Sequence, residues 1–475
     1  MLPPDEMEAM EKRSEKNLAA AMGQVDDLWK DEYLPEIQRY IDDWASFDLS
    51  DASMSQLTSH LDESLVRLHR LWEIHFLVIF PTMLAISLFD EFYQELFNDA
   101  DTFDAYKLLQ GFDNKTVDTG RALWRLSRSA VVTSLVLKTL QESPVSEVIP
   151  ALQRSEDGRL FLTELYAYFD MYGQRGDDLG LSYPGWIEDP ASVIIRLKDF
   201  AGQTERDLDA ELAALASERE RLVAEARERL SNYPQPVKDQ FESLLTAAQV
   251  GTVLSEDHAF YIDFSCSYWF RQVMLELGRR FVAEGVTGHR DDVFYLTFEE
   301  VRETAENPGQ FDRRAVVAER RAEIEHFRAI QPPPVLGTEP PGPPPDNPMT
   351  RQAAKFWGVP PRPSEEAGVI FGASGSAGVV QGPAKVVLSL SDSAKLQPGD
   401  VLIAATTVPS WTPLFGTVAA VVTDTGGILS HCAVVAREYG IPAVVGTGRA
   451  TSVFLDGQII EVDGNQGIVR IVHPD

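Results

Sequence analysis

One histidine stands at a junction where backbone and side chain can act together. His431 closes the string Thr423-Asp424-Thr425-Gly426-Gly427-Ile428-Leu429-Ser430, between the apolar run Val418–Val422 and a segment stopped by Gly440 and Pro442. That order predicts a strand, a glycine loop, a short helix starting near His431, and a second strand over Ala443–Gly446. A helix start carries unpaired backbone N–H groups and a partial positive charge, both of which favour a bound phosphate. Gly426 and Gly427 let the backbone approach an anion closely. A neutral imidazole there is a candidate nucleophile toward a phosphoryl group. Ser430 is either a second phosphate contact or the helix N-cap. On spacing alone, a histidine that merely packs at the helix start fits as well.

Three further places carry residue types suited to binding or proton transfer. In Trp72-Glu73-Ile74-His75-Phe76, a histidine sits among aromatic residues, either as a general base or as a satisfied core histidine. Tyr172-Gly173-Gln174-Arg175 and Pro184-Gly185-Trp186 read as an irregular loop that can wall a pocket with Arg175 and Trp186, or simply pack. Trp72, Phe76 and Trp186 are the candidate apolar walls. Arg175 and Arg437 are the candidate positive charges near a transferred group, although Arg437 can equally pair with a neighbouring carboxylate. No metal-ligand set is expected, since the two cysteines, Cys266 and Cys432, are far apart.

The elements that must position these residues fall into two classes. Up to about residue 330 the apolar spacing is helical, with stretches over Leu18–Trp44, Leu57–Phe80, Leu123–Leu140, Gly158–Tyr172, Asp199–Leu230 and Ser255–Val282. Arg290–Thr297 reads as a strand or extended closing segment. Residues 332–363 hold 12 of the 29 prolines, which predicts an extended, semi-rigid spacer. From residue 368 on, short β runs alternate with one or two helices. The expected architecture is multidomain: a large, mainly α-helical domain (1–331), a proline-rich hinge (332–367) and a compact α/β domain (368–475).

Lys and Arg number 42 against 73 Asp and Glu, a net charge of −31, which argues against nucleic acid and anionic membrane as partners. The N-terminus lacks a signal-peptide pattern and no run is read as a membrane span, so a cytoplasmic location is expected.

The string Gly-Gly-x-x-Ser-His-x-Ala-x-Val-Ala-Arg-Glu-x-Gly-Ile-Pro-Ala-Val-Val-Gly over residues 426–446 resembles the swivelling phosphohistidine domain of phosphoenolpyruvate synthase, pyruvate phosphate dikinase and rifampicin phosphotransferase. Gly382-Pro383-Ala384, Pro398-Gly399-Asp400 and Pro409-Ser410-Trp411-Thr412-Pro413-Leu414 extend the likeness over about a hundred residues. It implies that His431 is transiently phosphorylated. Leu429 occupies the position of a regulatory threonine in the dikinases, which implies that this control is missing. Leu109–Lys115, Tyr172–Arg175, Trp186–Pro190 and Asp292–Leu296 follow one another as in the helical substrate domain of rifampicin phosphotransferase and the matching part of phenylphosphate and 4-cresol phosphate synthases. Gln174 and Gly185 depart from the rifampicin pattern and point away from that antibiotic as acceptor.

No Gly-x-x-x-x-Gly-Lys-Ser/Thr loop is present. The resemblance therefore implies a two-component aryl phosphate synthase. A separate ATP-grasp-like subunit would bind ATP and Mg, pass the β-phosphoryl group to His431, and leave the helical domain to present a small phenol such as phenol or 4-cresol. The same shuttle acting on an antibiotic or other hydroxylated molecule, or a phosphocarrier without substrate chemistry, are the alternatives.

Overall fold

The computed structural model describes residues 18, 20–97, 101, 103–328, 330, 342, 345–364, 366 and 368–472. Its spine is helix α1 (Met54–Leu96), opened by a capping box between Ser53 and Gln56. Pro81 is buried within α1 and does not end it. Packing on both sides outweighs the single backbone bond that the proline removes. α1 is also long and apolar enough to cross a bilayer by length and composition, so the expectation that no run reaches that length does not hold; 56 % of its most apolar window is buried inside the protein, as in a core helix.

Five further long helices build the domain: α2 (Lys115–Val132) and α3 (Glu156–Tyr172) form a core of their own, α4 (Leu208–Arg229) shares a core with the second half of α1, and α5 (Gln235–His258) and α6 (Ser267–Ala283) pack directly on α1. α5 lies along α1 at close range, because Gly251 sets its backbone against Thr82: a Cβ there would stand 2.8 Å from the Thr82 carbonyl oxygen. α5 begins twenty residues before the helix expected at Ser255 and continues into α6 through a π-helical segment, Ala259–Cys266. The stretch expected as one helix from Asp199 is two, Ala191–Gly202 and α4, with Asp207 capping the second. Arg290–Tyr295 is a 3-10 turn rather than a strand, since Asp292 turns back to accept from the Gly288 and His289 N–H groups.

The proline runs at Pro332–Pro334 and Pro343–Pro344 lie outside the described residues. Beyond them the spacer is not extended: Asn347 caps helix α7 (Pro348–Trp357), which lies on α1 through Lys355–Asp90 and Arg351–Glu91 ion pairs. Proline at the first helical position is compatible with a helix, which explains why proline content misleads here.

The C-terminal part is one eight-stranded sheet in the order β1-β8-β7-β3-β4-β5-β6-β2. The strands are β1 (Val369–Phe371), β2 (Ala373–Ser376), β3 (Val379–Val386), β4 (Val401–Ala404), β5 (Ala420–Thr423), β6 (Ala443–Val445), β7 (Ile459–Asp463) and β8 (Ile468–Ile471). β3 to β6 run parallel, and the central strands β4, β5 and β6 are short apolar runs buried throughout, as parallel strands covered on both faces require. Helix α8 (His431–Glu438) crosses between β5 and β6. A multidomain chain with a large helical part and a compact α/β part is thus what folds.

Replacing Gly251 by Val should lower the chemical denaturation midpoint, at a cost of about 2 kcal/mol or more from overpacking at the α1–α5 crossing. Gly202→Ala, where an added Cβ meets nothing within 4 Å, should be near neutral in the same circular-dichroism titration.

Candidate active site

β5 ends at Thr423, and the chain then turns through Asp424–Ser430 into α8 with His431 as its first residue. Asp424 ties the loop down by accepting from the Thr451 N–H at 3.0 Å and from the Thr451 hydroxyl. Gly426 has φ +106°, a conformation that L side chains rarely adopt, and the loop turns there. Ser430 takes the N-cap position, yet its side chain makes no capping bond; its Oγ is buried without a partner.

In this arrangement two of the loop's N–H groups are taken by protein carbonyls. Gly427 N–H donates to the Phe356 carbonyl and Leu429 N–H to the Lys355 carbonyl, each at 2.8 Å. The end of α7 thus uses its orphan carbonyls to hold the loop. Gly427 is required for that contact, because a Cβ would lie 2.2 Å from the Lys355 oxygen. Arg437 is likewise committed: it donates to the Gly375 carbonyl at 2.7 Å and the Ile428 carbonyl at 3.0 Å and lies over the Tyr106 ring. In this arrangement it positions the loop and touches neither His431 nor a neighbouring carboxylate at bonding distance.

The His431 ring is sandwiched between the two domains. Nε2 lies 3.4 Å from the Thr412 hydroxyl, and Nδ1 lies 3.5 Å from Glu256 Oε1 on α5. The second distance is that of an ion pair rather than a hydrogen bond, and Nδ1 has no closer partner. Burial by itself would raise the Glu256 carboxyl; His431, the Thr116 hydroxyl and the Arg175 charge outweigh it and hold it down at about 2. Arg175 is 1 % exposed and donates to Thr116 Oγ at 3.2 Å, while its Nε and Nη1 have no partner. Burial pushes that guanidinium down to about 10, so it remains charged at neutral pH. A buried cation with two unused donors, beside a histidine at a helix start, is suited to hold a phosphoryl oxygen.

His75 joins a different cluster. Its Nδ1 lies 3.0 Å from Asp263, and its ring meets Trp72, Phe76 and His258. His258 and Glu256 are two residues apart on α5, about 200° around the helix axis, so they serve different sides. Trp72 and Phe76 are 42 % and 48 % exposed and form an aromatic row on α1 with Phe80. Trp186 is buried, donates to Asp177 and walls a cleft of about 450 Å³ between the two domains. Tyr183, Val408 and Trp411 line the same cleft, the last being the neighbour of Thr412. The structure therefore links His431 to Arg175 through Glu256 and Thr116, and places His75, Trp72 and Phe76 in a different cluster.

Leu429 packs with Met83, Ile86 and Leu109 of the helical part, so the position that could carry regulation in the dikinases is an apolar docking contact here. Glu438 docks from the far end of α8 by accepting the Gly111 N–H at 3.0 Å. Cys432 is buried and its thiol is pushed up to about 12 by burial, the behaviour of a small core residue. Glu256, Thr116 and Thr412 went unnoticed in the sequence. The string Ser255-Glu256-Asp257-His258 inside an apolar helix was the available signal.

Residues 396–467 match the family model for the PEP-utilising enzyme mobile domain, and residues 75–256 match the rifampicin phosphotransferase fourth domain. The chain belongs to the phosphotransferase family built on that mobile domain. Chondramide synthase CmdD of Chondromyces crocatus is 42 % identical over 99 % of this chain and 12 % of its own length. The uncharacterized phosphotransferase YvkC of Bacillus subtilis is 30 % identical over 84 % of this chain and 47 % of its own. A rifampicin phosphotransferase of Streptomyces sp is 34 % identical over 64 % of this chain and 34 % of its own. The chain thus spans less than half the length of each of these relatives. In family terms, the match at 396–467 contains His431 and the match at 75–256 contains Arg175 and Glu256.

Burial raises the Glu438 carboxyl to about 7. A carboxyl raised in the folded state contributes stability that is complete below its unfolded value of about 4.5 and is lost as pH rises toward 7. Docking of the two parts should therefore loosen over that window. Glu438→Gln should flatten the pH dependence, read by hydrogen exchange at Leu109–Phe112 between pH 5 and 8.

Proposed function

We propose that the chain is a phosphoryl shuttle in which His431 carries the group and the helical part presents a hydroxyl acceptor. The approach of His431 Nδ1 to within 3.5 Å of the Glu256 carboxylate, at the junction of the two domains, is the observation that carries this reading. In this reading the Glu256 carboxylate, closing from 3.5 Å, favours the proton on Nδ1 and leaves Nε2 with its lone pair, so Nε2 is the atom that bonds phosphorus. In loading, the Nε2–P bond forms as the donor's bridging P–O bond breaks. In discharge, the acceptor oxygen bonds phosphorus, the N–P bond breaks, and the acceptor's proton passes to Nε2. The resulting imidazolium is stabilised by Glu256. Arg175 offers its unused donors to charge on the transferring oxygens.

The donor is ATP with Mg, bound by an ATP-grasp-like unit outside these 475 residues and, in this reading, on a separate subunit. The acceptor is a small phenol such as phenol or 4-cresol. The aromatic walls offered by Trp186, Tyr183 and Trp411 favour a ring, and this chain's Gln174 and Gly185 favour an acceptor other than rifampicin. A larger hydroxylated natural product is the second reading. It is favoured by the breadth of the cleft and by relatives named rifampicin phosphotransferase, chondramide synthase and, at 31 % identity over 70 % of this chain, the prodigiosin synthesizing transferase PigC of Serratia marcescens.

Intact mass after incubation with ATP and Mg, with and without a candidate ATP-binding partner, tests the shuttle. One acid-labile phosphate should appear with partner and ATP, be absent in His431→Ala, and discharge on adding a phenol. No phosphate from ATP or phosphoenolpyruvate would leave only the binding-protein reading. Glu256→Gln should slow loading or discharge by roughly 10- to 100-fold, since the ring loses the group that sets its tautomer. A rate unchanged in Glu256→Gln would exclude the assigned role of that carboxylate.

A further inference from the structure

A second group of ligating side chains meets away from His431. His75, His258 and Asp263 each offer one ligand atom, and these atoms all lie within 4.8 Å of one another. His75 comes from α1, His258 is the last residue of α5, and Asp263 stands on the π-helical segment that follows. Their assembly depends on that segment. The i→i+5 pattern shifts the helix face by an extra residue and turns Asp263 toward His75; π-helical insertions of this kind are frequent at functional sites.

The three side chains present their donor atoms as metal ligands do. His75 Nδ1 and Asp263 Oδ1 are 3.0 Å apart. Two ligands each about 2.1 Å from a tetrahedral ion stand about 3.4 Å apart, a few tenths of an ångström beyond this contact. His258 Nδ1 lies 2.8 Å from the Leu254 carbonyl. That contact places its proton on Nδ1 and leaves the Nε2 lone pair free, the arrangement of a metal-ligating histidine held from behind by a backbone oxygen. His258 is 3 % exposed, and the side chains of His75 and Asp263 are 15 % and 12 % exposed, so the three atoms are largely shielded from water.

We propose that His75, His258 and Asp263 bind one divalent transition-metal ion of the zinc class. Two imidazoles and one carboxylate leave at least one coordination position open, as in zinc sites that bind water or a ligand oxygen. Trp72 and Phe76 flank His75 with ring centroids 4.8 and 5.0 Å away, so the site stands beside an aromatic surface. This assignment is independent of whether His431 is ever phosphorylated, and it gives His75 a role other than general base.

The test uses the full chain, stripped with a chelator and titrated with zinc by calorimetry and elemental analysis. One equivalent should bind. His75→Gln and Asp263→Asn should each weaken it by roughly 100-fold, with unchanged circular dichroism, while His431→Ala leaves it intact. X-ray absorption of zinc bound to the unaltered protein should show nitrogen and oxygen donors with at least one imidazole. The absence of stoichiometric binding would overturn the proposal and make the three residues a hydrogen-bonded chain. Binding that survives both substitutions, binding lost in His431→Ala, or a spectrum without imidazole would overturn it equally.

Discussion

A carboxylate buried between two domains is the constraint from which the rest follows. Glu256 lies on one domain and His431, whose Nδ1 is 3.5 Å away, on the other, with Arg175 behind it through Thr116. A buried charge is strongly unfavourable without partners, and Glu256 draws them from both domains, Thr116 and Arg175 from its own and His431 from the other. Docking is thereby coupled to the state of the His431 ring. A ring that carries a proton on Nδ1 satisfies Glu256. A phosphoryl group on Nε2 adds negative charge, for which Arg175 keeps two donors unused. The same pocket can thus accept both the loaded and the discharged carrier.

The docked arrangement is held by weak and separable contacts as well as by charge. Two backbone hydrogen bonds from the loop to the end of α7, an apolar contact at Leu429, and the Gly111–Glu438 bond are each modest. A carrier that must leave one site for another needs this kind of interface. α7 has a particular place in it, since it is ion-paired to α1 on one side and bonded to the histidine loop on the other. The segment that separates the domains in sequence is therefore also part of the surface that joins them.

The zinc-type site and the His431 site share α5 but use opposite sides of it. Glu256 serves one and His258 the other, two residues apart. This places two chemically distinct centres about one helix, with the π-helical turn after His258 adapting the second.

The sequence by itself determined much of this protein. The glycine loop, the helix starting at His431 and stopped at Gly440, the buried parallel strands and the helical character of the first three hundred residues all follow from local rules of period, capping and turn chemistry. Arg175 was readable as a candidate because an irregular loop that holds an arginine and a tryptophan between helices can wall a pocket. Tertiary structure alone decided the partners. Glu256 lies 175 residues before His431, and His75 lies 188 before Asp263, separations over which no periodicity carries information. The roles of Arg437 and Leu429 likewise turned on what stands opposite them, two carbonyls and an apolar patch. The α7 helix within a proline-rich stretch was hidden because proline is compatible with a first helical turn, and only the α1 surface supplies the ion pairs that hold it. Local propensity sets the elements; burial and charge pairing between distant residues make the site.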